Sequence, residues 1–210
     1  MKNFYLRLIS VLFITPVFIY ALYEASYFFY VILIIILFTS CYEIFNNVKQ
    51  KFLSFFLYIL IFLFIFGLYK VRKSEYSNFI YLLWILSIVW ISDISGYIIG
   101  KNFGGPKLSK YSPNKTISGF VGSILFSQFA FIIPFFLLET FKLNFLIILI
   151  QFFFCIISVF GDIFFSYIKR INGIKDYSAI IPGHGGVLDR IDGMIFVIII
   201  YYFILNFNVI

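Results

Sequence analysis

The sequence predicts an all-α, polytopic integral membrane protein with about seven transmembrane helices and cytoplasmic polar loops. Three observations predict it. The 210-residue chain is 63% hydrophobic and only 12% charged, more apolar surface than a soluble core of this length hides. Apolar runs of about 20 residues recur along it, the length that crosses a bilayer as a helix. The basic residues gather in alternate loops, as the positive-inside rule requires.

The runs fall at about 8–23, 26–45, 52–69, 79–98, 119–138, 143–168 and 192–208. As helices they satisfy their backbone hydrogen bonds internally, which lipid demands. The first follows a charged start but precedes no small-residue cleavage site, so it reads as a retained span rather than a signal peptide. Only "EAS" separates it from the second, and a re-entrant pair is an open alternative for these two. Pro16 and Pro134 lie within spans, where membrane helices tolerate kinks. Seven crossings put the N-terminus and segments 46–51, 99–118 and 169–191 on one side. That side holds twelve of the 16 Lys and Arg, with Lys70, Arg72, Lys73 and Lys142 opposite. It is read as cytoplasmic, with the N-terminus inside and the C-terminus outside. The expected location is a cell membrane, the inner membrane of a bacterium.

The net charge of +7 is then largely topology signal, with some attraction to anionic headgroups. Basic residues spread over loops without a binding motif argue against a nucleic-acid partner. Cys41 and Cys155 sit in apolar runs and read as buried small hydrophobes, not as a disulfide or metal ligands. Polar chemistry divides the chain into N-terminal transmembrane helices, 1–78, and a catalytic transmembrane region, 79–210, whose long loops are 99–118 and 169–191.

The first polar stretch is "ISDISGYIIGKNFGGPKLSKYSPNKTISG", residues 91–119. Asp93 lies near the end of a span. A charge at the bilayer centre costs about 2.5–3.5 kcal/mol, so it is expected at a polar cavity or the interface. Lys101, Lys107, Lys110 and Lys115 follow among glycines and small hydroxyl residues, a setting that suits phosphate oxygens. A solvated basic loop that merely orients the chain is the plainer alternative.

The second is "GDIFFSYIKRINGIKDYSAIIPGHGGVLDRID", residues 161–192. Asp162, Ser166, Lys169 and Arg170 fall at i, i+4, i+7 and i+8, on one helical face. Gly183, Gly185 and Gly186 allow a tight backbone and close approach of a ligand. Asp189 and Asp192, at i and i+3, open the last span. Carboxylates at 162, 189 and 192 are hard oxygen ligands suited to magnesium, which commonly takes one or two of them plus substrate phosphates. With the cations and a glycine-rich turn at a helix N-terminus, they suggest a bound magnesium–polyphosphate. The alternative is structural: Asp162 paired with Arg190 or Lys169 inside the membrane, Asp189 and Arg190 as interfacial charges, and His184 as a structural histidine.

The segment from Ser166 to Asp192 resembles the signature of phosphatidate cytidylyltransferases, also called CDP-diglyceride synthases. It reads S-Y-I-K-R, I-N-G-I, K-D-Y-S-A-I-I, P-G-H-G-G, V-L-D-R-I-D, with every specified position of the family pattern filled, and "GD" at 161–162 fits the residues just upstream. Asp93, Gly96, Tyr97, Gly100, Gly104, Lys107, Leu108, Ser112, Pro113, Lys115, Thr116 and Gly119 are similar to the family's other polar region. The chain departs from it at Ile117 and Ser118, where the family usually has Trp-Glu. The resemblance covers roughly 90–210, and 1–78 only as generic spans.

The resemblance implies transfer of CMP from CTP to phosphatidic acid, giving CDP-diacylglycerol and pyrophosphate in phospholipid biosynthesis, by a membrane enzyme that depends on one or two magnesium ions and opens to the cytoplasm. The metal and the catalytic role then fall to Asp162, Asp189 and Asp192. Substrate binding falls to Asp93, Lys107, Ser112, Lys115, Ser166, Lys169, Arg170, Lys175, Asp176, His184, Gly185, Gly186 and Arg190. The implied partners are CTP, phosphatidic acid and membrane lipid; a homodimer is left open. The nearest alternative is a CTP-dependent lipid kinase of the dolichol type, and a more distant one a small membrane transporter. A CDP-alcohol phosphotransferase is disfavoured because its Asp-Gly-x-x-Ala-Arg pattern is absent.

Overall fold

The computed structural model describes residues 2–74, 79–139, 141–183 and 185–206, and the side chains of these except 2–9 and 11. Among them the chain is helical, without strands. Eight α-helices follow one another: α1 (Lys2–Glu24), α2 (Tyr27–Asn47), α3 (Lys51–Lys73), α4 (Phe79–Phe103), α5 (Ile117–Ser127), α6 (Ile132–Leu137), α7 (Phe145–Ile171) and α8 (Leu188–Asn206), with a 3₁₀ turn at Gln128–Phe131 joining α5 to α6.

Among the described residues five segments are long and apolar enough to cross a membrane: α2, α3, α4, the α5–α6 run Ile117–Leu137, and α7. The molecule is a multi-pass membrane protein. The expected spans at 8–23 and 192–208 fall on helices α1 and α8, the latter described as far as Asn206, and neither meets that criterion over its described residues. Among the described residues α1 offers the apolar stretch Leu12–Glu24, and α8 carries Asp189, Arg190 and Asp192 near its start.

Helix ends follow from local chemistry. Ala25 takes a left-handed φ of 49° and separates α1 from α2. The Arg72 guanidinium of α3 donates to the carbonyls of Leu22 and Tyr23, at the otherwise unsatisfied C-terminus of α1. Gly104, with φ 62°, stops α4, and Pro106 follows. The polar loop expected from 99 therefore begins at 104, and Gly96, Tyr97, Gly100 and Lys101 lie on helix. At the end of α7, the N–H of Gly173 (φ 73°) reaches the Arg170 carbonyl and that of Ile174 reaches Lys169, the paired bonds of a Schellman stop. So Lys169 and Arg170 sit in the last turn of α7, while Asp189 and Arg190 sit in the first turn of α8, rather than in a loop over 169–191.

The chain forms two compact units, residues 1–74 with 168–210, and residues 75–167. The boundary at 78/79 drawn from polar chemistry is a division of another kind, since packing groups the C-terminal helix with α1–α3. In the first unit α3 packs chiefly on α8. Leu57, Leu60, Ile61, Phe64, Leu68 and Val71 are buried along one stripe of α3, and Ile195 and Ile198 are buried on α8.

In the second unit α4 and α5 make the closest helix pair. Small residues permit it. A Cβ at Gly119 would stand 2.6 Å from the Gly96 carbonyl oxygen, and one at Gly122 would stand 2.7 Å from Ile99. Ser123 Oγ donates to the Ser92 carbonyl at 2.7 Å across the same seam. Pro134 has no N–H to offer the preceding turn, which is where the α5–α6 run passes through its 3₁₀ turn.

A methyl at Gly119 meets backbone, which cannot swing aside. Gly119→Ala is expected to destabilise by about 1–3 kcal/mol, read as a lower apparent Tm of the purified protein in detergent; unchanged melting would show that the two helices are not held at this seam.

Candidate active site

In the first unit the segment between α7 and α8 is folded around two carboxylates. Glu43, on α2, is fully buried. Its Oε1 accepts from Ser178 Oγ at 2.6 Å and from the Val187 N–H at 2.8 Å, and its Oε2 accepts from the Leu188 N–H at 2.8 Å. Asp189, on α8, accepts from the N–H groups of Tyr177 and Gly186 through Oδ2, both at 2.9 Å, and from Lys169 Nζ through Oδ1 at 2.7 Å. The first N–H groups of a helix have no partner within it, and here carboxylates supply the acceptors.

The glycines follow from this arrangement. A Cβ at Gly186 would lie 2.8 Å from the Glu43 carboxyl carbon, and one at Gly185 (φ 88°) 3.0 Å from Asp189 Oδ2. The close approach these residues permit is therefore that of the protein's own carboxylates. Gly185 also returns the chain on itself, its carbonyl accepting from the Ile181 N–H at 2.9 Å.

Tyr177 sits at the centre with 1% of its surface exposed. Its carbonyl accepts from Asn47 Nδ2 at 2.6 Å, and Lys169 Nζ lies 5.7 Å from its ring centroid. Burial, and then the charges of Asp189, Asp192 and Glu43, push its phenol well above the ordinary value, so it stays protonated at any physiological pH. Asp192 is buried, and one of its oxygens accepts from the Gly193 N–H at 2.8 Å. Asn172 ties the start of the loop to the connection between α2 and α3, accepting from the Lys49 N–H at 2.9 Å. Arg170, Lys175, Asp176 and Arg190 present exposed side chains. His184 lies outside the described residues.

The second unit holds the other predicted residues. Lys115 is ion-paired with Asp162, whose Oδ1 also accepts from Ser166 Oγ at 3.3 Å. Lys115 is aimed by the loop carrying it. The Leu108 N–H donates to the Lys115 carbonyl at 2.8 Å, the Lys115 N–H donates to the Ser112 carbonyl at 3.1 Å, and Thr116 caps α5 by accepting from the Gly119 N–H at 3.1 Å. Tyr111 meets Tyr167 edge to face at 4.7 Å between centroids, docking the same loop on α7. Ser118 hydrogen-bonds Thr116 Oγ1 at 2.9 Å and donates to the Gly104 carbonyl, so this position serves the loop's own fold. Lys107 lies on the exposed rim of the loop and Asp93 on an exposed face of α4.

The ion pairs differ from the expected ones. Asp162 pairs with Lys115 rather than with Arg190 or Lys169, and Lys169 pairs with Asp189. Among the described residues no three His, Cys, Asp or Glu side chains form a group able to hold a metal ion. Glu43 escaped the sequence reading, although an acidic residue inside an apolar span is a recognisable signal of a polar site.

These features define a class: a helical multi-pass membrane protein in which lysines, carboxylates and a glycine-rich turn gather at helix ends. The chain belongs to the cytidylyltransferase family, whose model it matches over residues 3–208. It is 39% identical to a phosphatidate cytidylyltransferase of Aquifex aeolicus over 67% of this chain and 52% of that protein. It is 35% identical to one of Rickettsia bellii over 97% of this chain and 91% of that protein, and 34% identical to one of Bacillus subtilis over 65% and 51%. The chain thus spans about half the length of the Aquifex and Bacillus relatives and most of the Rickettsia one.

The Lys169–Asp189 pair is nearly dry, with side chains 11% and 2% exposed. Removing one partner of such a pair strands the other. Lys169→Met is expected to destabilise by about 3 kcal/mol, seen as a fall in apparent Tm in detergent; a variant that melts with wild type would show that the pair holds nothing together.

Proposed function

We propose that the chain transfers CMP from CTP to phosphatidic acid, releasing pyrophosphate and forming CDP-diacylglycerol at the cytoplasmic face of a cell membrane. The observation that carries this reading is the pairing of signature lysines with signature aspartates in both units, Lys115 with Asp162 and Lys169 with Asp189, in a chain whose relatives bear that activity in their names.

The chemistry suits the residues. The phosphatidate phosphate is already an oxyanion near neutral pH, so no protein base is needed. One of its oxygens forms a bond to the α-phosphorus of CTP as the bond to the β-bridging oxygen breaks, and pyrophosphate leaves with that electron pair. The obstacle is bringing one polyanion onto another, which fixed positive charge relieves. The backbone N–H groups of residues 186–188 already serve Asp189 and Glu43, so phosphate binding falls to side chains. Lys175, Arg170 and Arg190 are exposed near the glycine-rich turn, and Lys107 is exposed on the other loop. Lys115 and Lys169 are oriented by their carboxylates in advance. Ser112 and Asp176 lie on the same two loops.

The carboxylates fit magnesium in their chemistry. Asp162 already holds a cation, the Lys115 ammonium, at a partly exposed position, and Asp192 adds a second hard carboxylate. One or two carboxylates plus substrate phosphates make an ordinary magnesium set. Asp162 in the second unit and Asp192 in the first are each suited to hold such an ion, and Asp189, with both oxygens already accepting, would orient the turn that carries Asp192. When bound, the ion supplies Lewis-acid neutralisation of phosphoryl oxygens.

The proposed topology adds α1 and α8 to the five clear crossings, making seven. At 1.5 Å per residue the 19 residues of α8 span about 28 Å, close to the bilayer's hydrocarbon thickness. The charged first turn of α8 then lies at the cytoplasmic interface, and the diacyl chains enter sideways from lipid.

Purified protein given phosphatidic acid and α-labelled CTP should label the lipid, should lose this activity on chelation with EDTA, and should lose at least about 100-fold in kcat with Asp162→Asn. Label that reaches lipid only from γ-labelled CTP identifies a lipid kinase instead. A reporter fused after Ile210 should read as external; a cytoplasmic signal overturns the seven-span topology.

A further inference from the structure

We infer that Glu43 is a positioning residue for the proposed site, acting through the first turn of α8 on Asp189 and Asp192; the inference rests on the cytidylyl-transfer reading above. Glu43 comes from α2, some 140 residues before the groups it holds, in a part of the chain whose sequence otherwise reads as plain membrane span. Its carboxylate is fully buried and takes three donors, the hydroxyl of Ser178 and the N–H groups of Val187 and Leu188. These lie on both sides of the glycine-rich turn, so one side chain spans the turn and fixes where α8 begins.

Three further features belong to the same brace. Gly186 leaves no room for any side chain against the Glu43 carboxyl group. Asn47, one helical turn further along α2, donates to both the Glu43 and Tyr177 carbonyls, at 2.9 and 2.6 Å. Asp189 then takes the neighbouring N–H of Gly186 and that of Tyr177. With Glu43 holding 187 and 188 and Asp189 holding 186, three successive N–H groups end on two rigidly mounted carboxylates. A turn held at this density presents the Asp189–Asp192 face of α8 in one orientation. Among the described residues Glu43 makes no hydrogen bond or ion pair with a predicted substrate-binding side chain, so its loss should misplace the aspartates while leaving the exposed cations intact.

The test uses the full-length protein in detergent or nanodiscs, comparing wild type with Glu43→Ala and Glu43→Gln. In Glu43→Ala the amides of 186–188 should exchange hydrogen at least about tenfold faster while mid-helix amides of α3 and α8 are unchanged. Per folded molecule, kcat for CDP-diacylglycerol formation should fall about 100-fold, with KM for CTP within about threefold of wild type. Glu43→Gln keeps one acceptor oxygen, for Ser178 and Val187, and loses the acceptor of Leu188. It should fall between the two and gives the same reading where Glu43→Ala does not fold. Unchanged exchange at 186–188 overturns the brace. Faster exchange with wild-type kcat, or a loss confined to KM, overturns the positioning role. The exchange arm needs no substrate, so a wild-type protein that makes no CDP-diacylglycerol defeats the activity reading while Glu43's hold on the turn is still decided.

Discussion

The segment joining α7 to α8 is irregular over its described residues, and an irregular segment against a membrane protein's interior must find a partner for each buried N–H. Here the partners are two carboxylates, Glu43 from α2 and Asp189 from α8, which accept two backbone N–H groups each. Much of the site follows from that constraint. A carboxylate close enough to accept successive N–H groups leaves no space for Cβ atoms, hence Gly185 and Gly186. Buried negative charge needs a counter-ion, hence Lys169. The peptide between the two acceptors is pinned, which places Tyr177 under Lys169 and beside three acids.

The second unit solves a similar problem with other means. Its loop is a short antiparallel contact between Lys107 and Thr116, closed by the hydroxyls of Thr116 and Ser118. Glycines draw α5 onto α4, and the loop's end is thereby aimed so that Lys115 meets Asp162. Both units therefore end with a lysine fixed on an aspartate before any ligand arrives. Charge placed in advance is what a reaction between two phosphate esters needs, because the stabilising groups then pay no reorganisation as the transition state forms.

A good deal of this was legible. Helices α2, α3, α4 and α7 stand where apolar runs predicted them, and the α5–α6 run matches the span read at 119–138, because in lipid composition and length suffice to define a helix. The ends were less legible. Gly104 and Gly173 carry the stop signals, yet α4 and α7 run beyond their apolar cores because polar residues such as Lys101 and Lys169 continue a helix readily once it is outside the hydrocarbon. The ion-pair alternative for Asp162 named other partners than Lys115 for a related reason. Spacing along α7 suggested partners within reach of Asp162, but Lys115 arrives from a loop whose course depends on α4–α5 packing.

By itself the sequence determined the class, the helices, the family and the small set of residues that carry charge, since each depends on local composition or on an unbroken pattern. Only the tertiary structure decided which charges meet. Glu43 shares no pattern with the signature and lies far from it in the chain; what joins them is the need of unpaired N–H groups for an acceptor, and α2 passing where one was required. The glycines, too, changed meaning. In the sequence they announce room for something to approach, and the fold shows that the room is filled by the protein's own carboxylates.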